Sequence, residues 1–299
     1  MTRYVNGVEI EDTFAEAFGM WGSRVIVTGI NRKWAREAAV QMTGFATSVI
    51  ACGCEAGIEG DVVDAPDGRA GVSVLVFAMG KDSLVRQLIN RIGQCVLTCP
   101  TTACFNGLAG EEKVSVGGQL RFFGDGYQSS KFIGGRRYWR IPVMEGEFLV
   151  ENKFGIQHAV GGGNILILGG NQSVTLQAAE LAAEAMQRIP GIVLPFPGGI
   201  VRSGSKVGSK YKFLKASTND AYCPSLRGIV SKGLAEDVNS VLEIVIDGLD
   251  APSIEQATRL GILAACIPGI RRIAAGNYGG NLGKFKFYLH KILEGIPSV

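Results

Sequence analysis

Four times along this chain a short aliphatic and β-branched run is followed by a segment with helical spacing and then by a second apolar run. A chain that repeats this alternation buries its apolar faces by laying helices on sheets. The first pass is 25–28, a helix over about 32–42, and 47–50. The second is 72–77, a helix over about 83–91 with Leu84, Leu88 and Ile92 at helical spacing, and 95–98. The third is 165–168, a helix over about 173–187 rich in Ala, Glu and Leu, and 192–194; the fourth is 241–246, a helix from Pro252 to about 265, and 270–274. Two β-α-β units per half give the split arrangement of a ferredoxin-like sandwich. The expected fold is therefore α+β, two tandem ferredoxin-like lobes over 1–146 and 147–299, with the boundary near Glu147. A doubly wound Rossmann-like sheet is the alternative. The alternation around Arg136 and Arg137 predicts an added hairpin.

A chain of 299 residues with 46% hydrophobic content buries two cores of ordinary size. Its 42 glycines, about twice the usual share, sit at segment ends and predict many tight turns with backbone close to ligands. The net charge of +3 is mild and the basic residues fall in separate clusters, at 136–137, 202–215 and 284–291, so nucleic acid is not the expected partner. Seven cysteines, an odd number, and no cleavable leader predict a reduced, cytoplasmic setting. Cys52 and Cys54, or Cys95 and Cys99, have poor zinc spacing with only His158 and His290 to complete a site, so no metal is expected. No apolar run approaches the roughly 18 residues of a membrane span.

Dinucleotide and nucleotide loops are unsupported. The turn at 28–32 lacks the second and third glycines of G-x-G-x-x-G, and Gly204-Ser205-Lys206 with Gly208-Ser209-Lys210 lacks the P-loop register.

The run from Pro195 to Asp220 is too rich in Gly, Ser and Lys to pack as a helix and too cationic to bury. Loops this long inside a compact chain are commonly functional, and Tyr211, Phe213 and Leu214 set it apart from a disordered linker. It reads as the floor or lid of a binding site. Arg202, Lys206, Lys210 and Lys215, with Lys212, can pair with carboxylates or phosphate; a solvated surface is the competing reading. Glu243 lies in an otherwise apolar strand, where desolvation raises a carboxyl pKa and suits proton transfer; an edge-strand position facing water, or a structural ion pair, is the alternative. Glu55 begins a glycine turn and Asp125 lies between two glycines, so each either faces a cleft or caps a turn. Asn277-Tyr278-Gly279-Gly280 either presents amides to a substrate oxygen or simply reverses the chain.

Several longer stretches carry a family likeness: 6–18, Thr43-Gly44-Phe45, 66–69, Phe123-Gly124-Asp125-Gly126-Tyr127, 195–205, 215–220 and 275–280. Together, from residue 6 to about 286, they resemble the formylmethanofuran:tetrahydromethanopterin formyltransferases. The resemblance implies two ferredoxin-like lobes, and movement of a formyl group between formylmethanofuran and N5 of tetrahydromethanopterin without metal or tightly bound cofactor. It implies coenzyme substrates with anionic tails, which gives the lysine-rich run a purpose. On it, Glu243 is the proton carrier. Gly198, Gly199, Arg202, Ser203, Ser205, Lys206, Lys210, Lys215, Ser217, Asn219, Asn277, Tyr278, Gly279, Glu55 and Asp125 are the substrate-binding candidates, and amides near Gly198-Gly199 or 277–279 face the oxyanion. An intersubunit cleft implies a dimer or tetramer.

The mild charge, and Cys52-Gly53-Cys54 where the family more usually has Cys-Pro-Ala, point instead toward the transferase component of a bacterial formyltransferase/hydrolase complex. A noncatalytic scaffold or coenzyme-presenting subunit is the alternative function. A ferredoxin-like RNA binder would need exposed aromatics on its sheet, and these strands are aliphatic.

Overall fold

The computed structural model describes residues 2–230 and 234–298. The architecture is mixed α/β, and contacts group the chain into two compact units. One comprises Met1–Gly19, Ser48–Cys52 and Val160–Val299, the other Met20–Thr47 and Gly53–Ala159. This grouping differs from a single cut near Glu147 because two long strands, Phe14–Gly29 and Lys153–Gly169, each run from one unit into the other.

In chain order, β1 (Arg3–Val5) and β2 (Val8–Ile10) form a hairpin, and β3 is Phe14–Gly29. Helix α1 (Arg32–Thr43) opens on Asn31, whose side chain accepts the Trp34 amide, a standard N-cap. It is followed by β4 (Glu55–Val62), β5 (Ala70–Ala78), α2 (Lys81–Arg91) and β6 (Ala103–Asn106). In this unit β4, β5, β3 and β6 lie side by side and antiparallel. Val25, Val27, Val72, Val74 and Val76 alternate inward against Ala35, Ala39, Met42, Leu84 and Leu88, each large side chain contributing about 1.5–3 kcal/mol of burial.

Next come β7 (Glu112–Ser115), α3 (Gly117–Leu120), β8 (Ser129–Ile133), β9 (Arg136–Val143) and β10 (Gly146–Glu151). Strands β8 and β9 are the hairpin expected around Arg136, turning at Gly134 and Gly135, both at positive φ, as a tight hairpin turn requires.

Two expected strands are absent. The residues 95–98 continue a helix: the turn Ile92–Val96 extends α2, because Leu84, Leu88, Ile92 and Val96 form one fully buried stripe at four-residue spacing. The residues 47–50 are coil, with Val49 half-exposed; they have no sheet face to bury, and the strand begins instead at Glu55.

The other unit continues with β11 (Lys153–Gly169), α4 (Gln172–Met186), β12 (Ile192–Val193), β13 (Lys206–Val207), β14 (Ala216–Ser217), β15 (Ser240–Gly248), α5 (Ala251–Ala265), β16 (Ile270–Ala274), β17 (Phe285–Tyr288) and α6 (Leu289–Ile292). Its strand order is β12-β15-β11-β16-β2-β1, antiparallel except where β16 meets β2. One face of this sheet, with Ile165, Ile167, Ile244, Ile246 and Ile273, is buried against Ala178, Ala179, Ala182, Ile254 and Ile262 of α4 and α5. The opposite face carries the polar groups described next.

Candidate active site

Residues directly opposite one another in antiparallel strands share a sheet face, so the pairings of β11 define three rows across β15, β11 and β16. Val241, Leu168 and Arg272 make one row, Glu243, Leu166 and Ala274 the next. In the third, Val245 is opposite Asn164, whose Oδ1 accepts the Gly276 amide at 2.7 Å. Leu166, Leu168, Ala274 and Val238 form a small apolar cluster on this face, against which Tyr222 and Val241 pack. Glu243 is therefore a carboxyl set into an apolar row.

Strand β15 is interior at this point. The Val201 amide donates to the Glu243 carbonyl at 2.7 Å and the Glu243 amide donates back at 2.9 Å, while β11 pairs along the other edge. The water-facing edge position entertained from the sequence is thus corrected: Glu243 is flanked by backbone on both sides. Among the described residues its carboxylate has neither a hydrogen-bond donor nor an ion-pair partner, and burial pushes its pKa up to about 7. A carboxyl poised there both takes and returns a proton near neutral pH. Two phenols stand in its field. Burial raises the Tyr222 pKa, with the charges of Glu11 and Glu243 adding and Arg272 opposing. Burial likewise raises that of Tyr278, with Glu243 and Glu16 adding. Arg272 is held by Glu9 at 3.0 Å.

The loop after β16 is organised by Glu16 on β3. This buried carboxylate accepts the amides of Tyr278 at 2.7 Å and Gly280 at 2.9 Å on one oxygen, and those of Leu282 at 2.6 Å and Gly283 at 2.5 Å on the other. Although burial pushes its pKa up, the four amides together hold it below the ordinary carboxylate range. Asn277 bridges Thr13 and the Phe14 carbonyl through Nδ2 and accepts the Gly279 amide at 3.1 Å. The Tyr278 and Gly279 amides, expected to meet a substrate oxygen, are therefore already spent on Glu16 and Asn277. What the loop presents is the Tyr278 ring, beside Phe18.

The lysine-rich run folds as a small hairpin of β13 and β14. The Gly208 amide donates to Lys215 O at 2.8 Å, Ser217 Oγ donates to Gly208 O at 2.8 Å, and Lys206 pairs with Asp220 at 2.7 Å. Arg202, Ser203, Ser205, Lys210 and Lys215 are exposed, and the Tyr211 and Phe213 rings lie 5.8 Å apart, tilted to each other, near the tip. Gly198 and Gly199 lie at positive φ, and the Gly199 amide is taken by Phe196 O at 2.8 Å. The Asn219 carbonyl accepts the Tyr222 amide at 3.0 Å, so the run leads directly into the residue that packs against the apolar cluster of the Glu243 face.

Glu55 and Asp125 belong to the other unit. Glu55 opens β4 and is buried, not in a turn. Asp125 adopts left-handed backbone and closes the turn Arg121–Gly124, which is the turn-capping role. The sequence reading missed Glu16, Asn164, Arg272 and Tyr222. Only the register across β15, β11 and β16, and a partner more than 260 residues distant for Glu16, bring them into view. Among the described residues no group of three or more His, Cys, Asp or Glu could hold a metal ion, and no helix is long and apolar enough to cross a membrane.

A family model described as formylmethanofuran-tetrahydromethanopterin formyltransferase matches residues 3–143, and one described as that family's proximal lobe matches 146–292. The formylmethanofuran--tetrahydromethanopterin formyltransferase of Methylococcus capsulatus is 60% identical over 295 residues, covering 97% of this chain and 99% of the relative. A component of the formyltransferase/hydrolase complex of Methylorubrum extorquens is 51% identical over 302 residues, covering 97% of each. The solved Methanosarcina barkeri formyltransferase superposes with a TM-score of 0.91 at 50% identity, over 96% of this chain and 99% of that one. A chain of the Methylorubrum extorquens complex, solved with methylofuran, superposes with a TM-score of 0.95 at 50% identity, over 98% and 99%.

Proposed function

The chain belongs to the formylmethanofuran–tetrahydromethanopterin formyltransferase family and moves a formyl group between those two carriers, and we propose that Glu243 carries the proton this exchange requires. Transfer between nitrogens proceeds by attack of the N5 amine of tetrahydromethanopterin on the formyl carbon, forming a C–N bond and a tetrahedral oxyanion. A proton must then leave N5 and arrive on the departing methanofuran nitrogen as the old C–N bond breaks. A single carboxyl with a pKa of about 7 serves both halves, as base toward N5 and as acid toward the leaving amine. This step consumes no electrons and calls for no tightly bound cofactor. The observation that carries the reading is the Glu243 carboxyl, unpartnered among the described residues in the middle of an apolar row.

The lysines of the β13–β14 hairpin supply cations for the anionic tails of both coenzymes. We read each unit as a ferredoxin-like lobe, supported by the strand orders β6-β3-β5-β4 and β16-β11-β15-β12, each with a helix after its first and third strands in chain order. The chain works in the cytoplasm as part of an assembly. Either copies of itself or hydrolase-complex subunits surround it, as in the Methylorubrum relative. The test is formyl transfer followed by absorbance with wild type and Glu243→Gln, alone and with candidate subunits. A loss of about two to four orders of magnitude in kcat with circular dichroism and oligomeric state unchanged is expected; an active variant overturns the assignment.

A further inference from the structure

We infer from the helix-free sheet face that Tyr222 is a positioning residue whose ring covers the Glu243 row and keeps that carboxyl out of water. Tyr222 packs against the cluster of Leu166, Leu168, Val238 and Ala274. Leu166 on β11 and Ala274 on β16, the next strand beyond it, share the Glu243 row. On the next row Val241 packs against the same cluster, as does Leu234, and Tyr222 is the one aromatic ring among the described side chains packed on this apolar ground beside the carboxyl.

The ring is fixed from its own side. Tyr222 ends the short turn Asp220–Tyr222, its amide donates to Asn219 O at 3.0 Å, and Asp220 is tied to Lys206 of the β13–β14 hairpin at 2.7 Å. Desolvation of Glu243 therefore depends on a residue delivered by the long basic loop. A methylene-thin cover at this position would admit water to the carboxyl, and a hydrated carboxyl reverts toward its ordinary pKa.

The charged and titratable groups around the pair are Arg272 on β16, Glu9 and Glu11, which pair with it at 3.0 and 3.9 Å, Tyr278 on the loop after β16, Glu16 on β3, and Asp247. Asp247 is on the same strand and face, with its Oδ1 taking the Gly162 amide at 2.9 Å. None of these changes when Tyr222 becomes phenylalanine, which separates the ring from its hydroxyl.

The inference rests on the proton-carrier reading only in its kinetic arm. The first measurement is the carboxyl titration of Glu243 in the full chain, by difference infrared spectroscopy of wild type against Glu243→Gln, in Tyr222→Phe and Tyr222→Ala backgrounds. Tyr222→Ala should lower the midpoint by roughly one to two pH units, and Tyr222→Phe should keep it. An alanine variant with the wild-type midpoint, or a phenylalanine variant shifted as far as alanine, overturns the inference. If the alanine variant does not fold, Tyr222→Gln, which keeps a longer side chain at the position but replaces the apolar ring with a polar amide, admits water and reads the same shift. The second measurement is the pH profile of kcat/KM. A limb that moves with the titration midpoint supports both readings; a moved midpoint with an unmoved limb supports the covering role of Tyr222 and overturns Glu243 as proton carrier.

Discussion

Glu16 accepts the Leu282 amide at 2.6 Å, across 266 residues of sequence. With the amides of Tyr278, Gly280 and Gly283, this makes one buried carboxylate the organiser of the loop that carries Tyr278. Glu16→Gln keeps one acceptor oxygen and turns the other into an amino group facing two N–H donors, so the variant should lose about 3 kcal/mol at pH 7. The folded pKa of Glu16 is depressed, so its contribution is fully present above the unfolded value near 4.3 and is lost as pH falls through the lower folded value. Denaturant unfolding of wild type and variant should differ at pH 7 and converge toward pH 3; a constant gap across that range would contradict the assignment.

Glu243 works in the opposite direction. Its folded pKa, about 7, lies above the unfolded value, so folding favours its protonated form. That preference is fully present below about pH 4 and is lost as pH rises toward 7 and beyond. Glu243 is half-buried, and Glu243→Gln abolishes the cost of holding a charge in this desolvated row. At pH 8 the variant should be more stable than wild type by up to about 3 kcal/mol, a bound that partial solvent access reduces, and at pH 4 the two should coincide. Chemical denaturation at both pH values checks this. A variant inactive yet more stable at pH 8 is the signature of a group kept for catalysis against stability.

The contrast between these two glutamates shows what was legible in the sequence. Glu243 could be found because it interrupts a run of Val, Leu and Ile, where a carboxyl is out of place. Glu16 lies in Phe14-Ala15-Glu16-Ala17-Phe18, whose alternation looks like an ordinary half-exposed strand, and its partners are remote backbone amides that leave no mark in composition. The four helices and central strands of the repeats could be read for the same reason as Glu243: their periodicity is local. The strand expected at 95–98 is absent because Val96 also completes a helical stripe with Leu84, Leu88 and Ile92, and only packing decides between the two periods. Tyr222 follows a Gly- and Lys-rich loop that has no period at all, so its place on the apolar cluster next to the Glu243 row depends wholly on the tertiary fold.

The Lys206–Asp220 pair, at 2.7 Å with both side chains partly exposed, joins the β13–β14 hairpin to the turn bearing Tyr222. The hydrogen bond from Lys206 holds the Asp220 carboxyl below its usual range. An exposed pair contributes little to global stability, so Asp220→Asn should leave the melting temperature nearly unchanged. Loosening the hairpin should instead raise KM for both carriers by roughly two- to five-fold, and wild-type KM should rise toward the variant's value at high salt as screening removes the attraction. Steady-state kinetics at two ionic strengths, with melting curves alongside, tests both halves; a large loss of melting temperature with unchanged KM would make the pair structural only.

Gly283 tests the Glu16 loop without touching a charge. A Cβ built there would stand 2.4 Å from the Ala17 carbonyl oxygen and 2.7 Å from Glu16 Cγ. The Ala17 carbonyl belongs to β3, which pairs with β17 at that residue, so it cannot retreat without breaking ladder bonds. The substitution therefore forces Gly283 away and opens its 2.5 Å hydrogen bond to Glu16. Gly283→Ala should cost about 2–4 kcal/mol. Because that loss passes through Glu16, the double variant with Glu16→Gln should be less destabilised than the sum of the single changes by about 1 kcal/mol or more. Strict additivity in the denaturation midpoints would mean that the steric clash, not the carboxylate, sets the loop.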